Sequence, residues 1–182
     1  MISLIGSKRN LLAAAVASGI LYFTSQFVIM KILEPLGSEN VFRFQLTFDE
    51  KGMADLLWAW GQPGIDIFKS HFYLDFIHPL LYGSFMFFTM LFIKTGLSGA
   101  IREGGIPGYC YLPLAAAAFD LAENVLELNL VGHYPDLSGT LVFITALVSA
   151  CKWALAAVSL CILFVMGARL VLKTARARRS AS

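Results

Sequence analysis

Four carboxyls, one lysine, one histidine and two tyrosines stand inside segments that are otherwise apolar, and their spacing is helical. Asp75, His78, Pro79 and Tyr82 fall at i, i+3, i+4 and i+7, and Asp120, Glu123, Asn124 and Glu127 repeat that pattern. A third set, Thr145, Ser149, Lys152, Ala156 and Ser159, and a fourth, Ser18, Tyr22, Ser25 and Gln26, have the same periodicity. Spacings of three and four place each set on one face of a helix, so four polar faces are able to converge. Asp75, Asp120, Glu123 and Glu127 face a single deep cation, Lys152, with Lys31 near the outer end of the first apolar run as a second candidate. A charge at the centre of a bilayer costs about 2.5 to 3.5 kcal/mol on insertion scales, so these groups have to be paired or neutralised. Lys152 is expected to pair with Asp120 or Glu123, and at least one remaining carboxyl is expected to hold its proton. Carboxyls of both kinds beside a histidine and two tyrosines are the material of general acid and base catalysis, and equally of a cation site.

Each member also has a purely structural explanation. The Lys152 pair serves as interhelical glue, Asp75 suits the N-terminus of a helix, and Glu127 can reach lipid headgroups. Four carboxyls together exceed what stability alone requires. Asp75, Asp120, Glu123 and Lys152 are therefore the candidate catalytic groups, and His78, Tyr82, Asn124, Glu127, Tyr22 and Gln26 the candidate substrate-binding groups.

The elements that must position these residues are membrane spans. The chain has 182 residues, 58% apolar or aromatic and 14% charged, with a mean hydropathy of +0.71. Charged residues near a quarter of the total are usual in soluble domains, so an ordinary soluble domain and a disordered chain are both excluded. Apolar runs at Leu11–Ile32, Phe72–Ile93, Tyr111–Val131 and Leu141–Met166 each approach the roughly 20 residues that a hydrocarbon core demands. The expected fold is all-α: a four-helix transmembrane bundle, with residues 1–168 as one membrane domain and 169–182 as a basic tail. The first run is read as a retained helix, being long for a signal peptide. Five of the 14 cations (Arg169, Lys173, Arg176, Arg178 and Arg179) lie in the last fourteen residues, Lys8 and Arg9 precede the first span, and Lys94 and Arg102 outnumber Glu103 in the middle loop. The positive-inside rule then places both termini and that loop in the cytoplasm of a bacterial inner membrane.

Residues 33–70 form an outer lid. Phe42–Phe48 alternates like a strand. Asp49 then caps a helix with Met53, Leu56, Leu57 and Trp60 on one face, which Gly61, Pro63 and Gly64 end. A short helix from Ile65 to about Ser70 leads into the second span. The lid is either structural or a gate for substrate. Counting along the spans sets Tyr22, Tyr82, Asp120 and Lys152 near the midplane, Gln26, Asp75, His78 and Glu127 in the outer half, and Glu123 and Asn124 between. The pocket so described is deepest at Lys152 and opens outward. Pro79 is expected to bend its helix there, since proline in a span frees a carbonyl, whereas Pro113 reads as a first-turn residue.

Phosphate-binding, dinucleotide, zinc-protease and serine-hydrolase motifs are missing, and Cys110, Cys151 and Cys161 make neither a disulfide framework nor a zinc site. No metal, cofactor or nucleic acid is expected, and membrane lipid is the expected surrounding. The segments Trp60-Gly61, Phe72-Tyr73-Leu74-Asp75-Phe76, Pro79-Leu80-Leu81-Tyr82-Gly83, Asp120-Leu121-Ala122-Glu123-Asn124 and Lys152-Trp153 resemble a pattern in uncharacterised bacterial four-helix membrane proteins, which implies the fold but no activity. The chain is also similar to the EXPERA, or sterol-isomerase-like, superfamily at Asp75 and Pro79, an acid followed by proline early in a second helix. That resemblance implies four spans, a long first loop, a lipophilic sterol-like ligand and proton transfer by intramembrane acids; the Asp120-x-x-Glu123-Asn124 motif and Lys152 lie outside it. Three functions fit these residues. They are an enzyme or binder acting on a lipophilic small molecule by proton transfer, a proton-coupled carrier or ion-binding module, and a structural or assembly subunit presenting Phe85, Phe87, Phe88 and Phe92.

Overall fold

The computed structural model describes residues 7–98 and 105–179 and is all-helical, with no strand among the described residues. Among the described residues six α-helices follow in chain order: α1 (Lys8–Leu33), α2 (Ser38–Gln45), α3 (Glu50–Asp75), α4 (His78–Ser98), α5 (Leu112–Gly132) and α6 (Gly139–Arg179), with 3-10 turns at Glu34–Leu36 and Gly108–Tyr111. Three helical segments, Lys8–Leu36, His78–Leu97 and Gly139–Arg179, are long and apolar enough to cross a membrane. The third expected span, on α5, has the length but carries Asp120, Glu123 and Glu127 and so falls outside that set.

The chain runs up and down between two ends. Gly19 of α1 lies on Phe85 of α4 and Ser25 on His78, so α1 and α4 are antiparallel. Likewise α5 is antiparallel to α4, with Gly83 against Pro113 and Ala117 and Asn124 reaching the Asp75 carbonyl just before α4, and α6 is antiparallel to α5 through Asp120, Glu123, Ser149 and Lys152. One end collects the cations. Lys8 Nζ stands 5.5 Å from the Phe92 ring, Lys94 donates to the Gly105 carbonyl at 2.6 Å, and Lys173 donates to the carbonyls of Gly96 and Leu97 at 3.1 and 2.7 Å. Arg102 and Glu103 lie outside the described residues. At this basic end the core is wholly apolar: Leu11, Met90, Leu91, Ile93, Cys110 and Met166.

Several expectations are corrected. Phe42–Phe48 is not a strand, because its first half belongs to α2; a lone strand with no partner would leave its backbone groups unpaired, whereas a short helix satisfies them and buries Phe44 against Trp60 and Phe68. Asp49 caps α3 as expected, accepting from the Gly52 amide at 2.7 Å, and the helix is interrupted at Gly61 as expected, where φ 59° and ψ −178° are non-helical. This left-handed φ is open to glycine at little cost. α3 is thus two helical segments across a kink; the second starts at Gln62, with Pro63 in its first turn, and runs on to Asp75 instead of ending near Ser70. The second run, Phe72–Ile93, is broken in two between Asp75 and His78. Pro113 is in the first turn of α5 as read. Finally, the residues of the basic tail that are described are helical: α6 runs unbroken through Arg169 to Arg179, about 60 Å at 1.5 Å per residue.

The helices are staggered. Because Pro113, at the start of α5, packs on Gly83 in the second turn of α4, the lower half of α4 lies below α5 and is flanked by α1 and α6 and by the chain at Ile106 and Cys110. The upper half of α5 projects past α4 and is covered by the lid, whose Phe44, Met53, Leu57, Ile65 and Phe68 pack on Leu130, Val131 and Val142. Phe87, Phe88 and Phe92 are half-buried against the apolar core and Phe85 stacks on Tyr22, so these four form no free aromatic patch.

Candidate functional site

The break between α3 and α4 organises the site. Proline has no amide proton, so Pro79 cannot bond the carbonyl of Asp75 four residues earlier, and the helix parts there. The Nδ2 group of Asn124 donates to that same carbonyl at 2.9 Å. One amide side chain on α5 thus replaces the backbone donor that Pro79 lacks and pins α5 to the break. Asp75 at the end of α3 and His78 at the start of α4 still turn into one cavity.

Lys152 stands beside this break. Its Nζ contacts Asp120 Oδ1 at 3.3 Å and bonds Glu123 Oε2 directly, and all three side chains are less than a tenth exposed. The other Glu123 oxygen accepts from Ser149 Oγ at 2.6 Å, and the pairing of Lys152 with both acids satisfies the choice that spacing left open. Lys31 is not a second partner for the acids, since it pairs with Glu34 at the surface at 2.9 Å. Asp120 stands between the break and Tyr82, close to both.

A cavity of about 480 Å³ lies in front of these groups. Of the ten candidate residues, Tyr22, Gln26, Asp75, His78, Tyr82, Asp120 and Lys152 line it. Glu123, Asn124 and Glu127 do not; they lie behind, Glu123 holding Lys152, Asn124 holding the break, and Glu127 one turn further, 1% exposed with Oε1 lacking a hydrogen bond among the described residues. Val41 and Gln45 of the lid form part of the cavity wall. Its remaining walls are apolar: Phe23, Phe85, Met86, Leu160 and Leu163.

Three lining residues with polar groups were not among the candidates: His71, Gln45 and Trp153. His71 precedes Asp75 by four residues, a spacing that would have paired them on one helical face; nothing local joins Gln45 to Trp153, which meet across 108 positions as the indole N–H donates to Gln45 Oε1 at 3.1 Å.

Hydrogen-bond direction fixes the proton arrangement. His71 Nδ1 bonds the Phe68 carbonyl, which only accepts, so Nδ1 carries a proton. Its Nε2 lies 3.7 Å from Asp75 Oδ2, beyond hydrogen-bond distance, so the imidazole and the carboxyl face each other closely enough for a small movement to pass a proton between them. Ser25 gives its hydroxyl proton to the Tyr22 carbonyl at 2.8 Å, so His78 Nδ1, 2.9 Å from Ser25 Oγ, is the donor of that bond and Nε2 is its free lone pair. The Tyr82 hydroxyl is buried with no hydrogen-bond partner among the described residues. The cavity thus offers a carboxyl facing an imidazole, a second imidazole with a lone pair, an ion-paired carboxylate and a buried phenol within one apolar shell.

The chain matches no family model, and neither the curated proteins nor the solved structures contain a significant match.

Proposed function

We propose that this protein binds and transforms a lipophilic small molecule by proton transfer inside the membrane. The observation that carries the reading is the convergence of the His71–Asp75 pair, His78, Tyr82 and Asp120–Lys152 on one apolar-walled cavity. Asp75, facing His71, is the acid and base that meets the substrate, and His78 is the second proton acceptor. Asp120 lines the cavity as a fixed negative charge. Lys152, Glu123 and Ser149 are positioning residues that keep Asp120 in place, and Tyr82, Tyr22 and Gln26 orient the ligand. Preorganised charges in a dry site act more strongly than in water, which is the advantage of assembling them here. The similarity to the EXPERA superfamily at Asp75 and Pro79 implies the same class of chemistry.

The chain in this reading makes four passes, with α5 as the fourth membrane-embedded helix. Its acids turn inward to Lys152 and Ser149, and Ile106 and Cys110, packed on the apolar core, complete its crossing; irregular backbone at such depth is tolerated where protein covers it. The basic end faces the cytoplasm, with both termini, and the lid faces outward.

Deuterium exchange tests the reading. Purified protein in vesicles made from a total lipid extract is incubated in D₂O, and the lipids are then surveyed by mass spectrometry for non-exchangeable deuterium. Incorporation into one lipophile, lost in Asp75→Asn at unchanged melting temperature, is the expected result. Binding of a lipophile without incorporation would remove the catalytic half of the proposal, and absence of both would remove the whole.

A further inference from the structure

The cavity has an outer chamber. A space of about 650 Å³ between α1 and α2 has Phe27, Met30 and Phe42 in its walls and Lys31 and Glu34 at its rim. Both chambers are lined by Gln26, Ile29, Leu33, Val41, Gln45 and Trp153, so they form one cleft with a waist at those residues. The cleft follows a seam in the bundle: α1 packs on α4 and on the lid, α6 packs on α5 and α4, and α1 and α6 make no extensive contact with each other. Both belong to the set long and apolar enough to cross a membrane. Phe27 on α1 and Leu160 on α6, each lining a chamber, are 63% and 45% exposed. A mouth flanked in this way opens toward acyl chains rather than water.

Charge decides what can pass. Lys152 is committed to Asp120 and Glu123, Asp75 stands against His71, and Lys31 is paired with Glu34 at the rim. An anionic ligand would lose its hydration and meet no unpaired cation in the cleft, a loss of several kcal/mol per ion. The groups without a side-chain partner among the described residues are neutral: the Gln26 amide and the Tyr82 hydroxyl, with the Gln45 amide nitrogen beside them. Trp153 ties α6 to α2 across the waist, through Gln45 and a T-shaped contact with Phe42 at 5.6 Å.

Resting on the reading of an acid and base cavity for a lipophile, we infer that the ligand enters sideways from the bilayer through the seam between α1 and α6, and that it is a neutral membrane-dissolved amphiphile with an apolar body and a hydroxyl or carbonyl group received at Gln26 and Gln45.

Photolabelling tests both parts. The probe is a long-chain alcohol carrying a diazirine, dissolved in vesicles that contain the full-length protein, with the corresponding carboxylate as comparison. The alcohol is expected to label peptides bearing His78 and Tyr82 severalfold more than the carboxylate does. Ala156→Trp and, separately, Leu160→Trp narrow the seam and are each expected to cut that labelling severalfold while labelling of Val171 on the lipid-facing surface is unchanged; melting temperature confirms that each variant folds. Undiminished labelling of His78 and Tyr82 in both folded variants overturns the sideways route and leaves the cavity reading intact. Equal labelling by the carboxylate overturns the neutral ligand. Labelling confined to lipid-facing residues such as Val171 and Phe164 in the unmodified protein overturns the cavity reading itself.

Discussion

At the basic end, α1, α4 and α6 meet through Leu11, Met90, Leu91, Ile93 and Met166, and no charge is buried among them. At the other end the same helices, joined by α5 and the lid, enclose Asp120, Glu123, Glu127 and Lys152, each less than a tenth exposed. The difference follows from what surrounds each half. Lower down, helices bounded by lipid are held by packing, since hydrocarbon gives no driving force for apolar association. Where α5 projects past α4, the lid supplies a further protein layer, and polar groups are satisfied by Ser149, Asn124 and the ion pairs rather than by lipid. The polar seam therefore occupies the half of the bundle with the most protein around it.

The contrast breaks most visibly at Lys152. Replacing it by Met leaves Asp120 and Glu123 as neighbouring buried acids without a cation, and about 3 to 5 kcal/mol of stability is expected to be lost, measured by thermal unfolding in detergent. Adding Asp120→Asn and Glu123→Gln should recover most of that loss, because it is the uncompensated charge rather than the absent bond that destabilises. No such rescue would mean that the two halves are held by the same kind of interaction.

Asn124→Leu is expected to cost about 1 to 3 kcal/mol by leaving the Asp75 carbonyl unpaired. The same substitution in a Pro79→Ala background should cost less, since an alanine there has an amide N–H to offer that carbonyl; a double-mutant cycle with no coupling would separate Asn124 from the break. Gly83→Ala tests the stagger. A Cβ there would stand 3.0 Å from Ala117 Cβ and 3.2 Å from the Pro113 carbonyl, a backbone atom that cannot swing aside, so about 1 to 3 kcal/mol is expected from overpacking. Gly96→Ala should cost less, because its closest neighbour is the end of the Leu170 side chain. The smallest effect has the opposite sign. Gly167 lies inside α6 with nothing near its absent Cβ, and Gly167→Ala is expected to stabilise by about 0.5 to 1 kcal/mol, read as a small rise in melting temperature.

Much of the site was visible along the chain, since periodicity reports which face of a helix turns inward. Thr145, Ser149, Lys152 and Ser159 share a stripe, and all four are buried. The acids of α5 likewise share one buried face. Periodicity failed at Phe42–Phe48, where seven residues are too few to tell alternation from one buried helical face, and it joined Asp75 to His78 through a proline whose effect depends on what receives the freed carbonyl. Gln45 and Trp153 had no local signal at all, being brought together only by the fold of the lid onto α6.

The sequence alone determined the helices, their inward faces and the accumulation of basic residues at the termini and the middle loop, because these follow from apolar runs, spacing and capping groups within a few residues of one another. Only the tertiary structure decided how far each helix is shifted along its neighbour. The meeting of Gly83 with Pro113, of Asn124 with the Asp75 carbonyl and of Lys152 with two acids sets those offsets, and a periodic pattern is unchanged when its helix slides along its own axis by a whole repeat. The axial offsets place the charged cluster beside the break and leave Glu123, Asn124 and Glu127 behind the cavity wall.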